Sequence, residues 1–240
     1  MEKSSRRSDP SQGAQPDGAE PPAEGLRSRK KAKRRDDILM QARSLFAETG
    51  VDAVTMSEIA QAAGVSTPTV FNYFGNKDGI LIALITEGTQ KARENSKVLE
   101  PRTDVDFLTT LMTVFLDVSS ETLAIARKRI WRYAQAATIR HPDTDIARSL
   151  EEIDAALLQI VERILSRYEL TLHDGSRGDP RVVAHLFLDV WMTTFHAFVR
   201  AEDMTLETHE KQLHARFAPL CRMIFAPAFL ARPTLAEDRA

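Results

Sequence analysis

The sequence predicts an all-α protein of about nine helices, because from Pro101 onward every strong apolar repeat has a period near 3.6 residues and none has a period of two. The segment before Pro101 supports the same class: short apolar repeats there end at glycines and begin at residues that cap helices well. The chain has 240 residues, 43% of them hydrophobic and 28% charged, enough to bury a sizeable core. The expected order is a tail (1–26), a basic arm (27–35), a compact three-helix unit (33–78), a larger helical unit (77–226) and a C-terminal tail (227–240).

Residues 1–26 are rich in Ser, Pro, Gly and acidic side chains, and cannot bury enough apolar surface to offset ordering, so they read as a disordered tail. Arg27 to Arg35 then crowd seven basic side chains into nine residues. A first helix follows on the stripe Ile38, Leu39, Ala42, Leu45 and Phe46, ending at Gly50. Thr55-Met-Ser-Glu58 reads as a capping box that opens a second, short helix with Met56, Ile59, Ala60 and Ala63 inward. Gly64 breaks it and Val65 fills the turn. Ser66 stands as the cap of a third helix from Thr67 to Phe74, whose Pro68 is tolerated in the first turn. A connector helix runs from Lys77 to about Lys97.

Later repeats predict one helix over Phe107–Leu116 and another over Leu123–Ala137 that stops at His141-Pro142. A long amphipathic helix spans Ile146–Ile164, a loop fills 173–180, and two further helices occupy 181–202 and 206–226. Pro227 and Pro233 mark a fraying end.

Charge is unevenly spread. Net charge is -2 overall, but residues 27–91 carry ten basic and seven acidic side chains, while the remaining residues on both sides are net acidic. Positive charge therefore gathers where the short helices lie, as an anionic partner requires. Cys221 is the one cysteine, so neither a disulfide within the chain nor a cysteine-based metal site is expected. No apolar run of membrane-spanning length and no apolar leader stand out, so a soluble cytoplasmic protein is expected.

Residues 55–81 carry the functional signal. A capped helix, an Ala-Gly-Val turn and a second short helix with small residues at the crossing are what a helix-turn-helix needs to present its second helix to a major groove. Thr55, Ile59, Ala60, Ala63, Gly64, Val65, Ser66, Phe71, Tyr73, Phe74 and Lys77 stand in the order and spacing of the TetR/AcrR family signature, which this stretch resembles over about residues 33–85. Gly75 stands where the family commonly has Pro, and Phe71 where it commonly has Tyr. The resemblance implies a dimeric DNA-binding regulator, most simply a repressor released from a near-palindromic double-stranded operator by a small hydrophobic or aromatic effector. It also implies that Thr67, Thr69 and Asn72 reach base edges, that Pro68 belongs to the same DNA-contacting helix, and that Thr55, Ser66, Tyr73 and Lys77 hold phosphates, with core packing as the other reading of Tyr73. Lys33 and Arg34 in the basic arm add phosphate contacts or form a solvated charge run.

The last two helices are the expected homodimer bundle, which would hold two recognition helices about 34–36 Å apart. Met112, Phe115, Trp131, Tyr133, Trp191, Phe195 and His196 either line an effector pocket between the middle helices or pack the core. No catalytic signature, cofactor motif or metal-ligand spacing is present: His209 and His214 are five apart, and His185 with Asp189 is an ordinary helical pair. Two other readings share the same DNA-binding domain: a regulator with no small-molecule inducer, architectural or controlled by a protein partner, and an activator.

Overall fold

A computed structural model describes residues 23–96 and 101–236; the expected tail before residue 23 and the last four residues lie outside it. The described residues fall into two units, one up to Asp36 and one from Asp37. The elements are α1 (Ala23–Thr49), α2 (Met56–Ala62), α3 (Thr67–Phe74), α4 (Lys77–Ser96), α5 (Phe107–Ile125), α6 (Lys128–Arg140), α7 (Asp145–Leu165), α8 (Pro180–Arg200), α9 (Leu206–Ile224) and α10 (Pro227–Ala231). Among the described residues the only extended pairing is three isolated bridges.

The N-terminal core forms where the sequence places its apolar stripes. Ile38, Ala42 and Phe46 of α1 are buried with Ile59 of α2, Val70 of α3 and Ile80, Leu81 and Ile85 of α4. The α2–α3 corner turns at Gly64, whose φ of +64° suits a residue without Cβ. Val65 donates its amide to the Ala60 carbonyl at 2.9 Å and leans on the core, closing the turn from inside.

In the larger layer, α7 packs on α8 and α4, α9 packs on α5 and α8, and α6 packs on α7 and α8. An aromatic spine crosses it: Phe115 meets Phe217 edge-on at 5.2 Å, Phe217 meets Phe187 at 4.9 Å, and Trp191 stacks on Phe195 at 4.9 Å. The single cysteine is buried, which pushes its thiol up to about 12 and keeps it unreactive at neutral pH.

Several expectations are corrected. The basic run is helical: Arg27–Arg35 lie inside α1, which begins at Ala23 within the stretch expected as tail, and Ala, Lys and Arg favour helix. The boundary between the fifth and sixth helices falls at Ala126–Arg127, so Leu123 and Ile125 continue α5; Asp106 caps that helix by accepting from the Thr109 amide at 2.9 Å. The segment after 226 does not fray over its described part. It forms α10, buries Phe229, and pairs beside Tyr168, with the Glu169 amide donating to the Thr234 carbonyl at 2.9 Å. Phe107 provides the reason, holding Phe229 at 4.7 Å and Phe225 at 5.1 Å. Finally, α5 and α8 are long and apolar enough to cross a membrane by length and composition, where no such stretch was expected; here they pack on α9 and α7 within the helical layer.

Candidate nucleic-acid interface

The second helix of the pair is held by its neighbours and leaves one face free. Thr55 caps α2 in a complete box: its hydroxyl accepts from the Glu58 amide at 3.2 Å, and the Glu58 carboxylate accepts from the Thr55 amide at 2.7 Å. The Thr55 amide, then its hydroxyl, hold the Glu58 carboxyl below the usual carboxylate range. Val70 anchors α3 with no exposed surface, and Tyr73 and Phe74 lean half-buried on the same core. Pro68, Phe71 and Asn72 are left exposed on one side of α3, at the helical spacing i, i+3, i+4. Thr67 and Thr69 are half-buried at its flank. Ser66 makes no backbone cap; its hydroxyl pairs with the Thr69 hydroxyl at 2.8 Å, so the two side chains occupy each other.

Lys77 is placed differently from the expectation of a phosphate ligand. Its Nζ donates to the carbonyls of Val51 (2.8 Å) and Asp52 (3.1 Å), tying the α1–α2 turn to the start of α4. The sequence contains no local signal for this, because the partners lie about 25 residues upstream. The amide of Gly79 at that helix start is taken by the Asn76 side chain at 2.9 Å. Lys33 and Arg34 are exposed on the N-terminal part of α1, in the first unit. One exposed residue on the outward face was not among the expected contacts: Phe71, 47% exposed, which the sequence marked only as the signature aromatic standing where the resembling family commonly has Tyr.

The seven expected pocket residues sit on three helices: Met112 and Phe115 on α5, Trp131 and Tyr133 on α6, and Trp191, Phe195 and His196 on α8. Phe115, Trp191 and Phe195 pack together between α5 and α8, and Met112 is buried on α5. The Trp191 indole donates to the Phe115 carbonyl at 3.1 Å and to Ser119 Oγ at 2.9 Å. Trp131 donates across to the Thr122 carbonyl at 2.9 Å, and Tyr133 donates to Asp78 Oδ1 at 3.1 Å. Burial, then the Asp78 charge, pushes that phenol up to about 12. His196 is half-buried, and burial and Arg200 lower its pKa. A cleft of about 360 Å³ lies elsewhere, at the junction of α1 with the α5–α6 corner, lined by Met40, Arg43, Ala47, Glu48, Leu123 and Arg127 among others. No group of three metal-binding side chains is found among the described residues.

Residues 38–84 match the family described as "Bacterial regulatory proteins, tetR family". The HTH-type transcriptional repressor Rv1474c of Mycobacterium tuberculosis is 42% identical over 60 residues, 25% of this chain and 32% of that protein. The chain thus spans about a third of the length of the first curated relatives it matches. Among solved structures, a TetR-family regulator from Mesorhizobium loti superposes with a TM-score of 0.61 at 16% identity, covering 82% of this chain and 99% of the other. Thermus thermophilus FadR, a TetR-family repressor in complex with lauroyl-CoA, superposes at 0.52 and 19% identity, covering 79% of this chain and 94% of that one. At such identities these two likenesses concern the fold.

Proposed function

We propose, from the premise that the chain belongs to the TetR family through residues 38–84, that it is a cytoplasmic homodimeric transcriptional repressor that reads a near-palindromic operator and leaves it when a small hydrophobic molecule binds. The observation that carries the DNA-binding part is α3: core-anchored by Val70, turned outward at Pro68, Phe71 and Asn72, and fixed to α2 through Val65 and the Gly64 turn. A short rigid helix with a free face is the shape a major groove accepts, and an Asn amide pairs bidentately with adenine. Thr55, Ser66, Thr67, Thr69, Tyr73, Lys33 and Arg34 surround that face as backbone-contact candidates. Lys77 serves mainly to brace the turn.

Dimerisation is supported by apolar side chains left bare on the last long helices: Val182 and Leu186 on α8 and Met223 on α9. Effector control is supported by the fold shared with FadR, which is described as binding lauroyl-CoA. A specific observation favours a second reading: Phe115, Trp191, Phe195 and Phe217 close on one another, as a core without a ligand does. On that reading a protein partner, or no inducer, sets DNA occupancy.

The test is selection of duplexes from a random-sequence double-stranded library by the full-length protein, followed by binding titration. Enrichment of a near-palindrome, with Asn72→Ala weakening binding about tenfold or more, supports the reading. Absence of any enriched duplex overturns it. Thermal-shift screening with fatty acids and acyl-CoAs separates the two effector readings: a stabilising compound that also lowers duplex affinity favours the first, and a flat screen the second.

A further inference from the structure

We propose that the cleft between α1 and the α5–α6 corner binds a free apolar α-amino acid as its zwitterion; the inference stands apart from the DNA-binding reading above and from any effector held among the core aromatics. The wall of this cleft carries both signs of charge. Arg43 of α1 and Arg127, which precedes α6, bring two guanidinium groups, and Glu48 of α1 brings one carboxylate. Met40, Ala47 and Leu123 supply the apolar part. Met40, Arg43 and Ala47 recur at helical spacing, so α1 turns one continuous face toward the cleft. Met40 is 59% exposed, so the core does not use its thioether and an occupant can.

Each charged group has hydrogen-bonding capacity left over. Arg127 makes no side-chain cap on α6, and among the described residues its guanidinium has no hydrogen-bond or ion-pair partner. Arg43 gives one donor to the Ala124 carbonyl, and a guanidinium has five. Glu48 Oε1 accepts from the Ser44 hydroxyl at 2.9 Å, which leaves Oε2 to accept from an occupant. A ligand carboxylate suits the two arginines, and a ligand ammonium suits Glu48. A simple carboxylate would leave Glu48 facing an anion, and a simple amine would face two cations; an amino acid answers both signs. Size limits its side chain. The cleft measures about 360 Å³, at the small end of ligand sites, and at ~30 Å³ per water-sized group it holds about a dozen non-hydrogen atoms, the size of leucine or phenylalanine. Such an occupant touches α1 on one side and the α5–α6 corner on the other, and competes with the Ala124 carbonyl for Arg43.

The experiment is ε-methyl NMR of full-length protein labelled at its methionines, with the Met40 signal assigned through Met40→Leu. The titrants are L-phenylalanine, L-leucine, hydrocinnamate (phenylalanine without its ammonium) and phenethylamine (phenylalanine without its carboxylate). The expected result is a saturable shift of the Met40 signal with either amino acid, while the signal of Met112, buried on α5, stays in place. Hydrocinnamate and phenethylamine each bind about tenfold more weakly than phenylalanine, the worth of one hydrogen bond to a charged group. Arg127→Gln weakens phenylalanine by a similar factor, and Glu48→Gln brings phenylalanine and hydrocinnamate level. Both replaced side chains are exposed, so both variants are expected to melt with wild type, and circular dichroism checks that they do. Absence of a saturable Met40 shift with either amino acid overturns the inference. So does hydrocinnamate or phenethylamine binding as tightly as phenylalanine, undiminished binding by Arg127→Gln, or a shift confined to Met112. No arm contains DNA, so the DNA-binding reading stands or falls separately.

Discussion

Acid should loosen this protein through one buried histidine. His209 on α9 has no exposed surface, and its Nε2 lies 3.0 Å from Ser119 Oγ. Ser119 donates to the Phe115 carbonyl at 2.9 Å and accepts from the Trp191 indole at 2.9 Å, so the arrangement is satisfied when His209 Nε2–H donates to Ser119. Nδ1 is then a bare lone pair with no hydrogen-bond partner. Protonation would put a buried N–H where nothing accepts it. It would also add charge to a stack in which Phe198 lies 4.5 Å from the imidazole and Lys128 sits 3.9 Å from the Phe198 ring. Burial first, then Lys128, lowers the imidazole from 6.5 to about 4. The unfolded chain therefore takes up a proton below pH 6.5 that the folded chain refuses until about pH 4, so stability present at neutral pH is lost as pH falls through that window. Between pH 7.5 and 5.5 the loss is ~1.3 kcal/mol, or roughly 3–5 °C in melting temperature for a chain of this size. The assay is thermal unfolding of wild type and His209→Phe at constant ionic strength across that range. His196, also lowered by burial, titrates alike in both proteins and drops out of the difference. Wild type is expected to lose the stated amount of stability relative to His209→Phe on acidification; a difference between the two that stays constant with pH would refute the reasoning.

Other perturbations follow from single contacts. Thr55→Ala removes the acceptor for the Glu58 amide and half of the capping box, and should cost about 1 kcal/mol in thermal or urea unfolding. A Cβ added at Gly88 on α4 would stand 2.5 Å from Ile125 Cγ2 on α5. Gly88→Ala should therefore lose about 1–3 kcal/mol to overpacking and regain about 1 from helix propensity, and adding Ile125→Ala should relieve the clash in a double-mutant cycle. Lys128→Met strips the Ala201 and Met204 carbonyls of a donor at 2.8 and 2.6 Å, and should lower stability by about 1–3 kcal/mol in urea titration.

The N-terminal helices were legible because their signals are local. A capping box needs only residues 55 and 58, a turn needs only Gly64 and Val65, and α3 falls at Thr67–Phe74 as its cap and the following glycine imply. What was not legible depended on distant partners. The α5–α6 break escapes periodicity because Leu123 and Ile125 continue one apolar stripe while the next begins at Ile130, only five residues on. The C-terminal segment looked like a tail because two prolines outweigh one phenylalanine in any short window; its order comes from Phe107, 122 residues before Phe229. Lys77 reads as a free cation from its neighbours in sequence, but it is bonded to Val51 and Asp52. Aromatic side chains have the same ambiguity: nothing in the spelling of Phe115, Trp191 or Phe195 tells a cavity wall from a packed core.

The charged residues of α6 link the end of α8 to the N-terminal helices. Lys128 and Arg132, one turn apart, bind the end of α8: Lys128 holds the Ala201 carbonyl at 2.8 Å, and Arg132 holds the Val199 carbonyl at 3.1 Å while pairing with Glu202. Arg129 and Tyr133, again one turn apart and rotated by one residue, face the N-terminal helices. Arg129 donates to the Glu48 carbonyl at the end of α1 at 2.7 Å, and Tyr133 donates to Asp78 on α4 at 3.1 Å. From α1, Arg43 reaches back to the Ala124 carbonyl at the end of α5. Cations at helix C-termini complement both the unpaired carbonyls and the dipole, so these links are directional and resist sliding. The 13 residues of α6, a rod about 20 Å long, thus tie the end of α8 to α1 and α4. Removing either set of bonds would leave backbone carbonyls at a helix end without a donor, so the two sets should be felt separately in stability.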